Sequence, residues 1–446
     1  MISRSDRAFS ATPGKLALPL GFRLQRRDQR KMDHIERGWD FLTRNRWQAE
    51  AGLVIFCHGG LPRSTLCSEN PKQPKEECQQ RLCFSRPKDE ERREALKSSK
   101  VLRRNKQVIL LRGEGCAMII ESPLELIFRD LFYRLPAFAG GNDVFLKLEG
   151  FNVTGSIKIK TAIRLIEDFE QRGIVKPHES LIVESSSGNL GLALSLVCAI
   201  KGYKFICVTD PNANRTTIRG IELYGAKVVV VDDRDPAGGY LESRLKKIDQ
   251  ILQSDPNAVW LNQYANIANK NVHAEQTANE IAREFDKVDW VFVGTGTTGT
   301  LAGISEGLRQ EFPRIKIVAV EPAGSVTFGG PPGKRNIPGI GTSMRPKLAD
   351  LAKPDRIVVV NEEKTVEACR SFVRDHHLLV GGSTGTVLAA VQQLAPDFSR
   401  GDIIVAVSAD LGEKYLDTIY DPTWVEEVIV PEDQRPTRTY ALVAAE

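Results

Sequence analysis

The sequence predicts an α/β fold in which helices cover both faces of parallel sheets. From residue 117 onwards, short runs of β-branched residues alternate with segments of helical periodicity. Continuous apolar strands that alternate with helices are typical of parallel sheets buried on both faces. Three predicted strand-to-helix junctions are also rich in Gly, Ser and Thr. Open α/β sheets bind ligands at the carboxyl ends of their strands, so these junctions predict a polar site there.

The predicted strands and helices alternate along the chain. Apolar and β-branched runs predict strands at residues 144–148, 181–183, 205–208, 227–231, 288–293, 315–320 and 402–407. Apolar residues spaced by three and four positions predict helices at residues 160–169, 192–200, 240–252, 271–285, 301–311 and 387–394. No apolar run reaches the roughly 18 residues that a membrane-spanning helix requires, so we expect no membrane segment.

Lys158 is the first candidate for chemistry. It follows the Gly155-Ser156 turn and lies at the start of a predicted helix, where the helix dipole disfavours a positive charge. A lysine whose charge is disfavoured is a candidate nucleophile, because only the neutral amine attacks a carbonyl carbon. Residue type alone favours a solvated surface lysine, so the assignment depends on the neighbouring loops.

Three polar loops follow predicted strands. Residues 184–191, 294–300 and 381–385 are rich in Gly, Ser and Thr, and each precedes a predicted helix. Backbone N–H groups at a helix N-terminus bind anions. One reactive amine and three such loops predict a site for a small phosphorylated ligand and a carboxylate.

The loop at 294–299 also fits the dinucleotide-binding pattern Gly-x-Gly-x-x-Gly, with Glu321 about twenty residues further on. This is the second interpretation of the loop. We favour the first, because nicotinamide binding would explain neither Lys158 nor the Ser-Gly-Asn sequence at 187–189.

The reactive lysine and the three loops together resemble the tryptophan-synthase β family of pyridoxal-phosphate enzymes. This family has fold type II and includes cysteine synthase and cystathionine β-synthase. The resemblance extends from residue 117 to residue 430. Smaller family signatures occur in the expected order at residues 121–124, 262–266, 320–322, 337–341 and 410–415.

The resemblance implies which residues hold the cofactor. Lys158 would bind pyridoxal phosphate as a Schiff base and would later remove the Cα proton of the substrate. Ser383 would face the pyridine nitrogen, and Asn189 would contact the oxygen on the cofactor ring. One loop would hold the phosphate through backbone N–H and hydroxyl groups. Its members are Gly294, Thr295, Gly296, Thr297 and Thr298.

Substrate contacts follow from the same resemblance. The substrate carboxylate would contact Ser186, Ser187 and Gln263. Two dipeptides depart from the cysteine synthase pattern: Asn152-Val153 stands in place of Asn-Pro, and Ile159-Lys160 stands in place of Asp-Arg. These departures distinguish the chain from cysteine synthase while leaving the role of the lysine intact.

The resemblance also implies a domain division. The larger subdomain would comprise residues 117–149 and 265–430, and the smaller subdomain would comprise residues 150–264. The cofactor would lie in the cleft between them, residues 431–446 would form a tail, and the enzyme would be a homodimer.

The segments 155–162, 239–244 and 335–341 most resemble family members that make 2,3-diaminopropionate precursors for siderophores and peptide antibiotics. Such enzymes carry out a β-replacement, in which the amine of L-glutamate replaces the phosphate of O-phospho-L-serine. The products are N-(2-amino-2-carboxyethyl)-L-glutamate and phosphate. Both substrates are anionic, so cations should line the site, although each cation could equally be a solvated surface charge. The available cations are Arg244, which we predict to bind substrate, and Lys160, Lys334 and Arg335.

Two alternatives belong to different classes. A cysteine synthase, which joins O-acetylserine or O-phosphoserine to sulfide, would need no cationic pocket for a second amino acid. A non-enzymatic paralogue that binds nucleic acid or a protein partner through a basic arm would rest on residues 1–116 alone, and we do not favour it.

The first 116 residues differ in composition from the rest of the chain. They contain 25 Lys and Arg against 14 Asp and Glu, which predicts a basic extension of low order. Five of the eight cysteines lie there without a CxxC pair, so we interpret them as free thiols and expect no metal site. The other three, Cys198, Cys207 and Cys369, predict core thiols. Reduced thiols favour a cytoplasmic location.

A chain that begins at Met118 tests the interpretation of the extension. We expect it to fold, bind pyridoxal phosphate and retain activity, because every matched signature lies beyond residue 117. Circular dichroism, cofactor absorbance and a turnover assay would check this. Loss of folding in the shortened chain would show that the extension is part of the folded unit.

Overall fold

A computed structural model describes residues 120–186, 188–235 and 239–435, which fold around two sheets. The predictions for residues 1–116, for Ser187 and for the end of the tail lie outside the described residues. The domain boundaries at residues 150 and 264 stay a prediction.

Strands are numbered in chain order through the described ranges. They are β1 (Phe132–Ala139), β2 (Asn142–Leu148), β3 (Leu181–Ser185), β4 (Lys204–Thr209), β5 (Lys227–Val230), β6 (Ala258–Trp260), β7 (Trp290–Gly294), β8 (Lys316–Pro322), β9 (Arg356–Val360) and β10 (Ile404–Ser408).

Helices are numbered in the same way. They are α1 (Lys158–Gln171), α2 (Asn189–Lys201), α3 (Arg215–Leu223), α4 (Leu241–Ser254), α5 (Ala268–Val272), α6 (Asn279–Glu284), α7 (Gly299–Glu311), α8 (Glu362–His376), α9 (Gly382–Gln393) and the short α10 (Pro422–Trp424). A π-helical segment, His273–Ala278, joins α5 to α6, and a second one, Val425–Ile429, follows α10.

The two sheets use different parts of the chain. The larger sheet has the strand order β1-β2-β10-β7-β8-β9, and the smaller has the order β5-β4-β3-β6. All neighbouring strands are parallel except β1 and β2, which are antiparallel. The predicted α/β fold with parallel sheets is therefore confirmed. None of the helices in the described ranges combines the length and the apolar composition that crossing a bilayer requires.

The strand β1 was not predicted from the sequence. It contains Pro136, and proline within a run argues against a central strand. The structure accommodates it because β1 is an edge strand and its pairing with β2 shifts register between Leu135 and Ala139. An edge strand tolerates proline, since the missing N–H is not needed for a second ladder.

Apolar side chains fill both faces of the larger sheet. Along β7, Trp290 and Phe292 belong to the core beneath α9, whereas Val291 and Val293 belong to the core beneath α7. This alternation follows from the two-residue period of a strand. A separate core packs α1 and α2 against the smaller sheet. The predicted core thiols are confirmed as buried and free: Cys198, Cys207 and Cys369.

Four charged side chains, one of them Lys160 of α1, form a buried cluster. Lys160 Nζ lies 2.9 Å from Glu149 Oε1 and 2.7 Å from Glu280 Oε2. Lys147 Nζ lies 3.3 Å from Glu149 Oε1 and 3.0 Å from Glu280 Oε2. All four side chains are at most 2% exposed, so each charge depends on the others for compensation. The prediction that Lys160 is available to bind substrate is wrong, because both carboxylates already hold its ammonium.

Replacing Lys160 by methionine should destabilise the fold strongly. Lys160→Met leaves two buried carboxylates to share Lys147, and breaking a buried pair typically costs about 3–5 kcal/mol. Urea denaturation would measure the loss of unfolding free energy. Lys364→Met is the matched control, since its pair with Glu367 is exposed and should contribute nothing measurable. Equal stabilities of the two variants would contradict the role of the cluster.

Candidate active site

The turn before α1 places Lys158 at the end of the larger sheet. Gly155 has φ +67°, a left-handed conformation that glycine adopts readily. The N–H of Ile157 donates to the Ala409 carbonyl at 2.8 Å, just past β10. Lys158 then opens α1 and lines a small cavity. Burial lowers the pKa of the Lys158 amine, and the Asp410 carboxylate acts in the opposite direction.

The glycine- and threonine-rich loop after β7 lines the same cavity. Gly294, Gly296, Thr297 and Thr298 all contribute to its wall. The loop leads directly into α7, whose first N–H groups have no partner within the helix. Asn269 supports the loop, because its Nδ2 donates to Thr297 Oγ1 at 3.0 Å. The arrangement is suited to holding a phosphate group.

The hydrogen bonds of Thr295 were not predicted from the sequence. Its backbone N–H donates to the Val320 carbonyl at 2.9 Å, and its hydroxyl donates to the same oxygen at 3.0 Å. Both donors of this buried residue are therefore used between β7 and β8. The role of Thr295 at the phosphate stays a prediction.

Ser383 lies on the wall of this cavity, at the second position of α9. The structure thus brings Ser383 together with Lys158 and the phosphate loop, although they are far apart in sequence. The Ser383 hydroxyl is 3.4 Å from Asp410 Oδ1. A side chain at Gly381 would collide with the same carboxylate, which explains why glycine precedes α9.

A second, larger cavity adjoins the first one. Gly296, Thr297 and Gly339 line both cavities. The predicted residues Ser186, Asn189, Arg244 and Gln263 line the larger one. Gln263 Nε2 donates to the Ser185 carbonyl at 2.6 Å, and Ser186 Oγ accepts from Gly191 N–H at 2.9 Å.

Arginine side chains dominate the charge of the larger cavity. Arg234, Arg244 and Arg335 line it together with Asp210. Arg244 Nη1 lies 3.4 Å from Asp210 Oδ2. Among the described residues, neither Arg244 Nε nor Arg335 Nε has a hydrogen-bond partner, although both atoms are buried. Buried guanidinium donors without partners are costly, so this cavity is suited to an anionic ligand. Lys334, also considered from the sequence, is exposed.

Glu184 is a buried residue that sequence reasoning did not select. Its Oε1 accepts from Ser185 N–H at 2.8 Å and from Trp260 Nε1 at 3.1 Å, and its Oε2 accepts from Gln263 N–H at 3.2 Å. Burial nevertheless raises the pKa of Glu184 to about 7. The side chain therefore braces the loop that carries Ser186 and Asn189. Its position directly before the Ser-Ser-Ser-Gly-Asn sequence was the available signal.

Asp410, Lys414 and Tyr415 were also missed as individual residues. They belong to the signature at 410–415, but no role was predicted for any of them individually. Asn189 Nδ2 donates to Asp410 Oδ2 at 2.8 Å, and Tyr415 Oη donates to the same oxygen at 2.7 Å. Lys414 Nζ donates to Asn189 Oδ1 at 2.7 Å. These contacts surround the predicted cofactor residue Asn189.

These residues fit pyridoxal phosphate. The amine of Lys158, the helix N-terminus at 296–299 and the hydroxyl of Ser383 lie around one cavity. Gly296 leaves space there, because a Cβ at this position would meet only the Gly339 carbonyl, at 3.7 Å.

Comparison with known families agrees with this interpretation. The family described as pyridoxal-phosphate dependent enzyme matches residues 126–410. The chain belongs to this family. The predictions of a fold-type II enzyme and of pyridoxal phosphate as its cofactor are confirmed.

Relatives with more specific names are similar over most of the described region. The N-(2-amino-2-carboxyethyl)-L-glutamate synthase of Ralstonia nicotianae is 40% identical over 287 residues, which cover 64% of this chain and 85% of the relative. The crystal structure of a hydrogen sulfide-producing enzyme from Fusobacterium nucleatum is 31% identical with a TM-score of 0.63, covering 67% of this chain and 100% of that one. An O-acetylserine-dependent cystathionine β-synthase from Helicobacter pylori is 26% identical with a TM-score of 0.64, covering 68% and 100%.

The raised pKa of Glu184 predicts a pH dependence of stability. The folded protein keeps this proton up to about pH 7, whereas an unfolded glutamate loses it near 4.5. The free energy of unfolding should therefore fall by about 3 kcal/mol between pH 4.5 and 7, and this contribution is constant above that range. Urea denaturation would give the free energy of unfolding of the wild type and of Glu184→Gln over this pH range. The difference between the two proteins isolates the contribution of Glu184, because the contributions of the other titrating groups cancel. Parallel curves for the two proteins would contradict the assignment.

Proposed function

We propose that this enzyme replaces the phosphate of O-phospho-L-serine with the amine of L-glutamate. The products are N-(2-amino-2-carboxyethyl)-L-glutamate, a precursor of 2,3-diaminopropionate, and phosphate. The observation that carries the proposal is the arginine-lined cavity that adjoins the Lys158 cavity. The name of the Ralstonia relative supports the same product, N-(2-amino-2-carboxyethyl)-L-glutamate.

The residues around Lys158 take specific roles in this proposal. Pyridoxal phosphate, when bound, supplies an electron sink for the negative charge that develops at the substrate Cα. The N–H groups of Gly296, Thr297 and Thr298 would hold its phosphate at the start of α7. Ser383 would face the ring nitrogen, and Asn189 would face the ring oxygen.

Lys158 moves the proton in the proposed reaction. With the cofactor and substrate bound, the Lys158 amine would accept the proton from the substrate Cα. Burial favours the neutral amine, which is the form that can accept a proton. Ser186 and Gln263 bind the substrate carboxylate, together with Ser187, and fix the direction of the Cα–H bond.

The arginines distinguish the proposed substrates from smaller ones. A phosphate monoester brings a charge of about −1.5 to −2, and glutamate brings two carboxylates. Guanidinium groups bind phosphate and carboxylate through pairs of parallel hydrogen bonds. Arg244 and Arg335 therefore supply the charge that two anionic substrates need.

Cysteine synthase is the second candidate function. It is supported by the structural similarity to an enzyme that produces hydrogen sulfide and to one that depends on O-acetylserine. Sulfide has no carboxylate for an arginine to bind, so this reaction would leave most of the arginine cavity without a role. A homodimer and a cytoplasmic location stay predictions.

Product analysis of the purified enzyme tests the proposal. Incubation with O-phosphoserine and glutamate should give N-(2-amino-2-carboxyethyl)-L-glutamate by mass spectrometry, and at a higher rate than cysteine forms from sulfide. Arg244→Ala should lower this turnover by roughly ten- to a hundredfold, because a charge-assisted hydrogen bond contributes about 1.5–3 kcal/mol.

Two controls accompany this measurement. The cofactor absorbance of Arg244→Ala should match that of the wild type, since the residues around Lys158 are unchanged. Arg309→Ala removes an arginine that pairs with Asp355 instead of lining the cavity, and it should keep full turnover. A wild type that prefers O-acetylserine and sulfide would establish cysteine synthase in place of the proposed activity.

A further inference from the structure

We propose that Asp410 and Lys414 are positioning residues that clamp the side chain of Asn189 in one orientation towards the cofactor. The inference rests on the proposed function, in which Asn189 faces the cofactor ring. It adds two residues to which no role in the site has been assigned above.

The clamp holds both ends of one amide. Asn189 Nδ2 donates to Asp410 Oδ2 at 2.8 Å, and Asn189 Oδ1 accepts from Lys414 Nζ at 2.7 Å. An asparagine amide has two N–H donors and one carbonyl acceptor. A flipped amide would turn its N–H groups towards the ammonium and its oxygen towards the carboxylate. The two charges therefore select one orientation of the amide.

The clamp spans the cleft between the two sheets. Asn189 opens α2, directly after β3 of the smaller sheet. Asp410 and Lys414 follow β10 of the larger sheet. Asn214 caps α3, the helix between β4 and β5 of the smaller sheet, and its side chain also donates to the Lys414 carbonyl. Lys414 therefore contacts helices of the smaller sheet through both its carbonyl and its side chain.

Neighbouring contacts hold the clamp itself in place. Asp410 is only 1% exposed, and Tyr415 Oη donates to its Oδ2 at 2.7 Å. Lys414 Nζ also donates to the Thr154 carbonyl at 3.1 Å, in the turn that leads to Lys158. The ammonium thus connects the orientation of Asn189 to the position of the Lys158 turn. Charge-assisted bonds in a buried setting make this arrangement specific.

A double-mutant cycle in the full-length holoenzyme separates positioning from general stabilisation. The four proteins are the wild type, Lys414→Met, Asn189→Ala and the double variant. Two readouts are needed: the rate of cofactor loss to excess hydroxylamine and the visible circular dichroism of the bound cofactor. Neither readout requires a substrate, so its outcome is independent of which reaction the enzyme catalyses.

We expect Lys414→Met to speed cofactor loss by about tenfold or more, as loss of a charge-assisted hydrogen bond implies. It should also reduce the visible circular dichroism. In the Asn189→Ala background the same substitution should add less than about twofold, because the two residues act through one contact. Lys414→Arg keeps the charge and the donors and should restore both readouts.

Matched variants keep the test decisive. Lys201→Met removes a partly buried lysine whose ion pair with Glu170 lies at the end of α2, and it should change neither readout. If Lys414→Met does not fold, Asp410→Asn takes its place in the cycle, because it removes the charge at the other end of the clamp. Additive effects of Lys414→Met and Asn189→Ala, or unchanged cofactor loss in Asn189→Ala, would overturn the inference.

Discussion

The rest of the site depends on the hydrogen bonding of the main chain just past β10. The Ala409 carbonyl accepts from Ile157 N–H at 2.8 Å, and the Asp410 carbonyl accepts from Gly381 N–H at 3.1 Å. One short segment therefore fixes both the turn that carries Lys158 and the loop that opens α9. Because β10 is a central strand of the larger sheet, this segment has little freedom to move. Lys158 and Ser383 owe their shared cavity to it.

Electrostatics then divides the cleft into two regions. Around Lys158, burial disfavours the ammonium, while the start of α7 favours an anion. The Asp410 carboxylate opposes the effect of burial by favouring the ammonium of Lys158, so burial is the influence that favours the neutral amine. In the adjoining cavity, the buried Nε atoms of Arg244 and Arg335 have no hydrogen-bond partner in the described residues, and Asp210 supplies negative charge beside Arg244. In the proposed function, the first region serves proton transfer and the second binds anions.

Local patterns were enough to predict part of the site and were insufficient for the rest. Lys158, Ser383 and the loop after β7 lie at strand-to-helix junctions, whose geometry is set by nearby residues. The contact of Thr295 was not predicted, because its partner, Val320, lies on the next strand of the sheet. Lys160 was misread because its partner Glu280 is 120 positions away. Periodicity and turn chemistry carry no information about such distant pairings. The contacts of Glu184 with Trp260 and Gln263 are also distant in sequence, although its place before the Ser-Ser-Ser-Gly-Asn sequence was a local signal.

Arg244 shows why the number of cations does not by itself determine the substrate. Its guanidinium already lies 3.4 Å from the Asp210 carboxylate, so an incoming oxyanion must share Arg244 with a fixed negative charge. That competition weakens the binding of any single anion, and it also lets an anionic product leave. A ligand with two separated anionic groups can contact Arg244 and Arg335 at once, whereas a ligand with one group cannot. Under the proposed function, we therefore expect the cavity to favour a second substrate with more than one carboxylate, which is the property that distinguishes glutamate from sulfide.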